Sequence, residues 1–211
     1  MIKRLLSVGA ICFLALTSMA QTKKTTLVAQ VNGYRHDMIY FDCTQTPFIR
    51  AEFHMNPGEE HTYSFETDKA VNMLINGRTN ILLQPGDSLH VVMEYEGKPV
   101  TSMQVGGTPN AVQANQLIWN LELFKRNIRY KSQLLACAAL DVKPQNRVND
   151  SRTLLAKANE LVNKAGDALT PEAKSYILAD VESDVYNSFM EYPMMYAEIR
   201  HLPIEKQEIG D

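Results

Sequence analysis

Cysteine is scarce in this chain. Three in 211 residues cannot form a disulfide framework, and no two have the Cys-x-x-Cys spacing. There is no excess of positive charge either. Lys and Arg total 21 against 24 Asp and Glu, a net −3, which excludes a basic protein built around the nucleic-acid backbone. The Gly-x-Ser-x-Gly elbow, the Walker glycine loop and the zinc motif His-Glu-x-x-His are all missing. No internal repeat, low-complexity block or long charge run interrupts the chain. What is present suits a folded protein: 45% hydrophobic and 21% charged residues can bury a core, over a length for one large domain or two small ones.

Residues 1–20 read as a signal peptide. Lys3 and Arg4 give a short positive start, Leu5 to Leu16 is an uncharged apolar run, and Ser18 and Ala20 are small residues where the peptidase needs them. Cleavage is expected before Gln21. The apolar run falls short of the ~20 residues that span a bilayer. Lipid attachment at Cys12 is disfavoured, because Ile11 precedes it where a small residue is normal and the apolar run continues beyond it. Losing Lys3 and Arg4 takes the net charge from −3 to about −5. Cys43 and Cys137 then remain in an oxidising compartment, where they can pair. They fall in segments of different character, however, and the favoured reading is two small buried hydrophobes.

From residue 21 to 108 the sequence predicts an antiparallel β domain. Thr25–Val31, Met38–Cys43, Phe48–Phe53, His61–Thr67, Val71–Ile75, Asn80–Leu83, Ser88–Tyr95 and Val100–Val105 are short β-rich runs. Turn signals separate them at Asn32-Gly33, Asn56-Pro57-Gly58 and Pro85-Gly86-Asp87. The period then changes. Ala114, Leu117, Leu121, Phe124, Ile128, Leu135 and Ala138 recur at helical steps, predicting one long helix from Asn110 to about Leu140, with Thr108 as cap and Pro109 in its first turn. Pro144 to Asn149 reads as a loop, and Asp150 or Ser151 as the cap of a second helix carrying Leu154, Leu155, Ala158, Leu161, Val162 and Ala165. Thr170-Pro171-Glu172 opens a third, with Ala173, Ile177, Val181, Val185 and Phe189 as its stripe. Pro193 ends or bends it, Met194 to His201 is a further short helix, and residues 203–211 are an exposed tail. The fold class is therefore α+β: an N-terminal antiparallel β-sandwich or barrel-like domain, then a C-terminal helical hairpin or bundle over 109–202.

Candidate chemistry is sparse. His54, Glu59 and His61 are the densest set of potential metal ligands, on what reads as a hairpin loop, but their spacing matches no known ligand pattern. His36-Asp37 can make an oriented base without a nucleophile in a motif position, and Gly106-Gly107-Thr108 reads as a strand-to-helix turn. Asp180 and Asp184 share a helical face and read as solvated surface. Tyr186, Met190, Tyr192, Met194, Met195 and Tyr196 crowd one region, which is either core or a docking face. No catalytic or cofactor-binding residue, and no cofactor, is assigned.

Three stretches carry a resemblance. They are Val31-Asn32-Gly33 followed by Ile39-Tyr40-Phe41, then Asn80-Ile81-Leu82-Leu83-Gln84-Pro85-Gly86-Asp87-Ser88-Leu89, and then Val105-Gly106-Gly107-Thr108-Pro109-Asn110-Ala111 leading into the first helix. Over residues 25–200 the chain resembles the N-terminal domain of unknown function in extracytoplasmic thiol-disulfide oxidoreductases related to TlpA and ResA. The thioredoxin-like module with Trp-Cys-x-x-Cys is not in this sequence: its single tryptophan is Trp119, and no catalytic residue carries over. The resemblance implies an exported, periplasmic or envelope-associated accessory or binding domain, either stand-alone or truncated. Its expected partner is a thioredoxin-like domain or an envelope protein, with no nucleic acid and membrane contact only through the signal peptide. The alternatives are an envelope interaction protein and an enzyme with a site near His54 and His61.

Overall fold

The computed structural model describes residues 22–202 except Pro57 and Lys98. The signal-peptide and tail readings lie outside the described residues. Strict alternation sends Thr25, Leu27, Ala29 and Val31 inward from β1 (Lys23–Asn32), a strand buried on one face. It is followed by β2 (Met38–Cys43), β3 (Arg50–His54), β4 (Glu60–Thr67), β5 (Val71–Ile75), β6 (Thr79–Leu83), β7 (Ser88–Tyr95) and β8 (Val100–Gly107). One sheet has the order β4-β1-β7-β8 and the other β3-β2-β5-β6. Leu27, Val31, Leu89 and Met93 from the first share a core with Ile39, Phe41, Met73, Ile75 and Ile81 from the second.

The antiparallel expectation needs one correction. β1 and β7 pair in parallel, with Leu27 opposite Leu89, while the other ladders are antiparallel. Asn32-Gly33 explains it. Gly33 has φ +69°, and a Cβ there would sit 2.3 Å from the Tyr95 carbonyl oxygen, so only glycine fits. The chain does not fold back on β1 at this point. It crosses to the second sheet, and three more strands pass before β5 and β6. Asn76-Gly77 does make a hairpin, with positive φ at both residues and Arg78 N–H on the Ile75 carbonyl. Pro85-Gly86-Asp87 forms the expected turn, with Gly86 at φ +90° and Asp87 N–H on Gln84 O.

The helices depart further from their sequence-based bounds. They are α1 (Pro109–Asn127), α2 (Gln133–Ala138), α3 (Pro144–Ala165), α4 (Pro171–Met190) and α5 (Tyr192–Ile199). The single long helix predicted to Leu140 ends at Asn127. Arg129 turns left-handed at φ 56°, Arg129 N–H bonds Arg126 O, and Tyr130 N–H reaches back to Lys125 O at 2.8 Å. This double closure stops a helix without glycine. It is held because Tyr130 is buried, with its hydroxyl on Ser151 and Ser188 at 2.9 and 3.0 Å. Leu135, counted in the stripe, is consequently 43% exposed on α2.

α3 starts six or seven residues before the predicted cap at Asp150 or Ser151, because Pro144 takes its first turn and Arg147 and Val148 are buried beneath it. Thr170 caps α4 as expected, its hydroxyl accepting from Ala173 N–H at 3.1 Å. Thr108 occupies the cap position of α1 without capping. Its hydroxyl donates to Asp87 Oδ1 at 3.0 Å, tying the Pro-Gly-Asp turn to the helix start. Buried residues of α1, α3 and α4 form the second core, which also takes in Leu82 from β6. Cys43 and Cys137 are both free thiols.

Candidate functional site

α1 lies against the outer edges of β6 and β8, the last strands of their respective sheets. Asn115 fastens it to Leu82, donating to the carbonyl at 2.8 Å and accepting from the amide at 2.9 Å. One to two turns further on, Ile118, Trp119 and Glu122 face Asn80 and Arg78 across a gap that α4 borders with Tyr176, Ile177 and Asp180. This cleft has a volume of about 210 Å³. Val100, Met103, Ile118, Leu121, Ile177 and Val181 give it apolar walls.

The charges around it are organised in pairs. Arg126 Nε meets Glu122 at 3.0 Å, its Nη1 donates to the Val100 carbonyl, and the guanidinium lies 5.0 Å from the Trp119 ring centroid. That one side chain locks α1 to β8 and orients the indole. Lys125 Nζ reaches Asp184 Oδ2 at 2.7 Å across α1 and α4. Burial alone would lower the Lys125 ammonium, but Asp184, with Asp180 and Glu122 behind it, outweighs that and holds it above the ordinary lysine range. Burial pushes the Tyr176 hydroxyl far above the ordinary phenol range, reinforced by Asp180, so it stays a neutral donor.

Asp180 is accessible at the mouth, yet the surrounding protein depletes its solvation. This desolvation raises its carboxyl, Lys125 opposes the shift, and Asp184 adds to it. A carboxyl raised in the folded state costs stability where it is ionised. The cost is absent in acid, where folded and unfolded forms are both protonated, and it grows as pH rises through the unfolded and then the folded value. Asp180→Asn is therefore expected to raise the thermal midpoint at neutral pH and leave it unchanged in strong acid. Equal midpoints for variant and wild type at neutral pH would remove the assigned desolvation.

The residues singled out by sequence are placed elsewhere. The His54–His61 segment is no hairpin: β3 belongs to one sheet and β4 to the other, so the loop crosses between layers. His61 turns into the sandwich, 4% exposed, with its ring centroid 5.1 Å from that of Phe53. His54 and Glu59 point to solvent, and Glu59 accepts a hydrogen bond from Asn56. The structure does not bring these three together, and among the described residues no group of three or more His, Cys, Asp or Glu is placed to hold a metal. His36 is exposed, with its ring 4.9 Å from that of Tyr34. Asp180 is exposed as expected, and Asp184, half-exposed, also pairs with Lys125 across two helices. Tyr192 and Tyr196 are core, whereas Tyr186, Met190 and Met194 remain exposed.

No family model, curated protein or solved structure matches this chain.

The cleft therefore stands on its own geometry. Sequence reading missed it because its residues come from four separate elements and match no motif. One signal was present. Trp119 lies off the Leu117–Leu121–Phe124 stripe of its helix, and a large aromatic outside the main stripe needs a second surface to contact.

Proposed function

We propose that the mature chain is an exported, non-catalytic binding or accessory domain. On this reading it corresponds to the N-terminal part of TlpA- and ResA-like oxidoreductases, either as a stand-alone relative or as part of a chain that carries the thioredoxin-like module. The observation that carries the reading is the cleft at the junction of sandwich and helices. Its apolar walls are set by the two cores, Arg126 and Lys125 are spent on fixed ion pairs, and Tyr176 is kept neutral. Such side chains set shape and polarity, as a recognition site requires. The signal-peptide pattern of residues 1–20 supports export to the periplasm or envelope.

Two measurements on the protein from Gln21 onward test it. Anilinonaphthalene sulfonate, an amphiphilic probe, should bind saturably and quench the single tryptophan, and a Met103→Arg variant should abolish the effect. Insulin reduction with dithiothreitol should proceed at the background rate. Thiol-dependent turnover that Cys43→Ser abolishes would overturn the non-catalytic reading.

A further inference from the structure

We propose that the cleft takes an extended peptide segment of another polypeptide as an added strand on the outer edge of β6, with one apolar side chain seated against Trp119. The proposal rests on the binding reading above and names its ligand class.

The backbone supplies the first argument. β6 pairs with β5 on one side only. The amide and carbonyl of Leu82 face away from β5, because Asn115 takes both. In an antiparallel ladder these directions repeat every second residue. Asn80 therefore turns its own amide and carbonyl to the same side, and Asn80 forms a wall of the cleft. At Leu82 helix α1 offers a primary amide. At Asn80 it brings Ile118, Trp119 and Glu122, the last held by Arg126, and the space opens. A strand-edge donor and acceptor thus face a cavity, which an extended peptide satisfies with one amide and one carbonyl.

Volume and charge narrow the occupant. The cleft, at about 210 Å³, is below the ~300–1,000 Å³ of sites that enclose whole drug-sized ligands. It suits one large apolar side chain with its adjoining peptide unit. Glu122 and Arg126 neutralise each other, as do Lys125 and Asp184. The lining charges that enter no ion pair among the described residues are Arg78 and Asp180, one of each sign. The complement is a segment with a leucine-like residue flanked by one base and one acid.

The probe is the capped peptide acetyl-Lys-Ala-Leu-Ala-Glu-amide, titrated by NMR into the isotope-labelled chain from Gln21 onward. Saturable shifts are expected at Asn80, Met103 and the Trp119 indole. N-methylation of the peptide at each amide in turn should find one position that weakens binding about tenfold, the worth of one hydrogen bond. Asn80→Pro should weaken the parent peptide by about the same factor, because its amide is outside the β5–β6 ladder and an edge strand tolerates proline there. Asn80→Ala, which keeps the amide, should bind within about twofold of wild type. Binding indifferent to every N-methyl group, or shifts that map away from the cleft, would overturn the proposal whatever Asn80→Pro does to the fold. If anilinonaphthalene sulfonate quenches Trp119 while the peptide moves nothing, the peptide reading falls and the binding domain stands. If neither ligand acts, both fall.

Discussion

Asn115→Leu is expected to lower the unfolding free energy by about 3–5 kcal/mol, read by urea denaturation of the chain from Gln21 onward. Asn115 is fully buried, and its side-chain amide copies the pairing of a peptide unit. It accepts from Leu82 N–H at 2.9 Å, donates to Leu82 C=O at 2.8 Å, and gives its second proton to Ala111 O at 2.8 Å. One residue of α1 thereby does what a further strand would do at the edge of the β3-β2-β5-β6 sheet. Leucine matches the size but removes both partners of Leu82. Each buried backbone group left without a partner costs about 1–3 kcal/mol. Two of them take a large share of the ~5–15 kcal/mol that holds a typical domain. The loss also detaches α1 from β6, so the sandwich and the helices should unfold less cooperatively. A change below about 1 kcal/mol would mean that water or a shifted edge satisfies Leu82, and that α1 is not what closes this sheet.

Asn115 also shows where sequence reading stops. Strand positions were legible because alternation is local: Val71–Ile75 and Ser88–Tyr95 have the bounds that their β-rich runs and flanking turns suggest. The partners of those strands were not legible. Asn32-Gly33 carries a hairpin signal, yet the chain leaves the sheet there, because the close approach of Gly33 to Tyr95 is a tertiary demand expressed through a local residue. The break after Asn127 is similar. Ile128 and Leu135 keep the helical period, while a buried hydroxyl on Tyr130, bonded to residues on two other helices, decides that the helix ends. A polar residue on an apolar stripe was the overlooked class of signal. Asn115 sits beside Ala111, Ala114 and Leu117 on the buried side of α1, and Ser151 and Ser188 lie likewise among buried positions of α3 and α4. Each marks a buried hydrogen bond. For the cleft, Trp119 and Asp180 were visible as residue types, but their meeting depends on how α1 and α4 pack, which no local pattern encodes.

The second large effect concerns Arg147, whose guanidinium is buried at 3% exposure and enters no ion pair among the described residues. Its compensation comes from neutral groups. It lies 3.6 Å from the centroid of the Tyr130 ring, Nε donates to Ser188 Oγ at 3.1 Å, and Nη1 donates to Lys131 O at 2.8 Å. The charge also faces Asp150, whose carboxyl is raised by burial and drawn back down by Arg147. Removing the side chain empties the junction of α3, α4 and the Tyr130 turn, so Arg147→Ala is expected to cost about 3–5 kcal/mol. Two further variants separate charge from shape. Lysine keeps the charge but loses the planar fork and the stacking, and its more strongly hydrated ammonium is costlier to bury, so Arg147→Lys should lose about 2–3 kcal/mol. Methionine fills much of the volume, packs on the Tyr130 ring and has no charge to desolvate, so Arg147→Met should lose only about 1–2 kcal/mol. The order in urea denaturation decides the matter. A lysine variant as stable as wild type would show that the buried charge is what stabilises this junction, and that the stacking on Tyr130 contributes nothing.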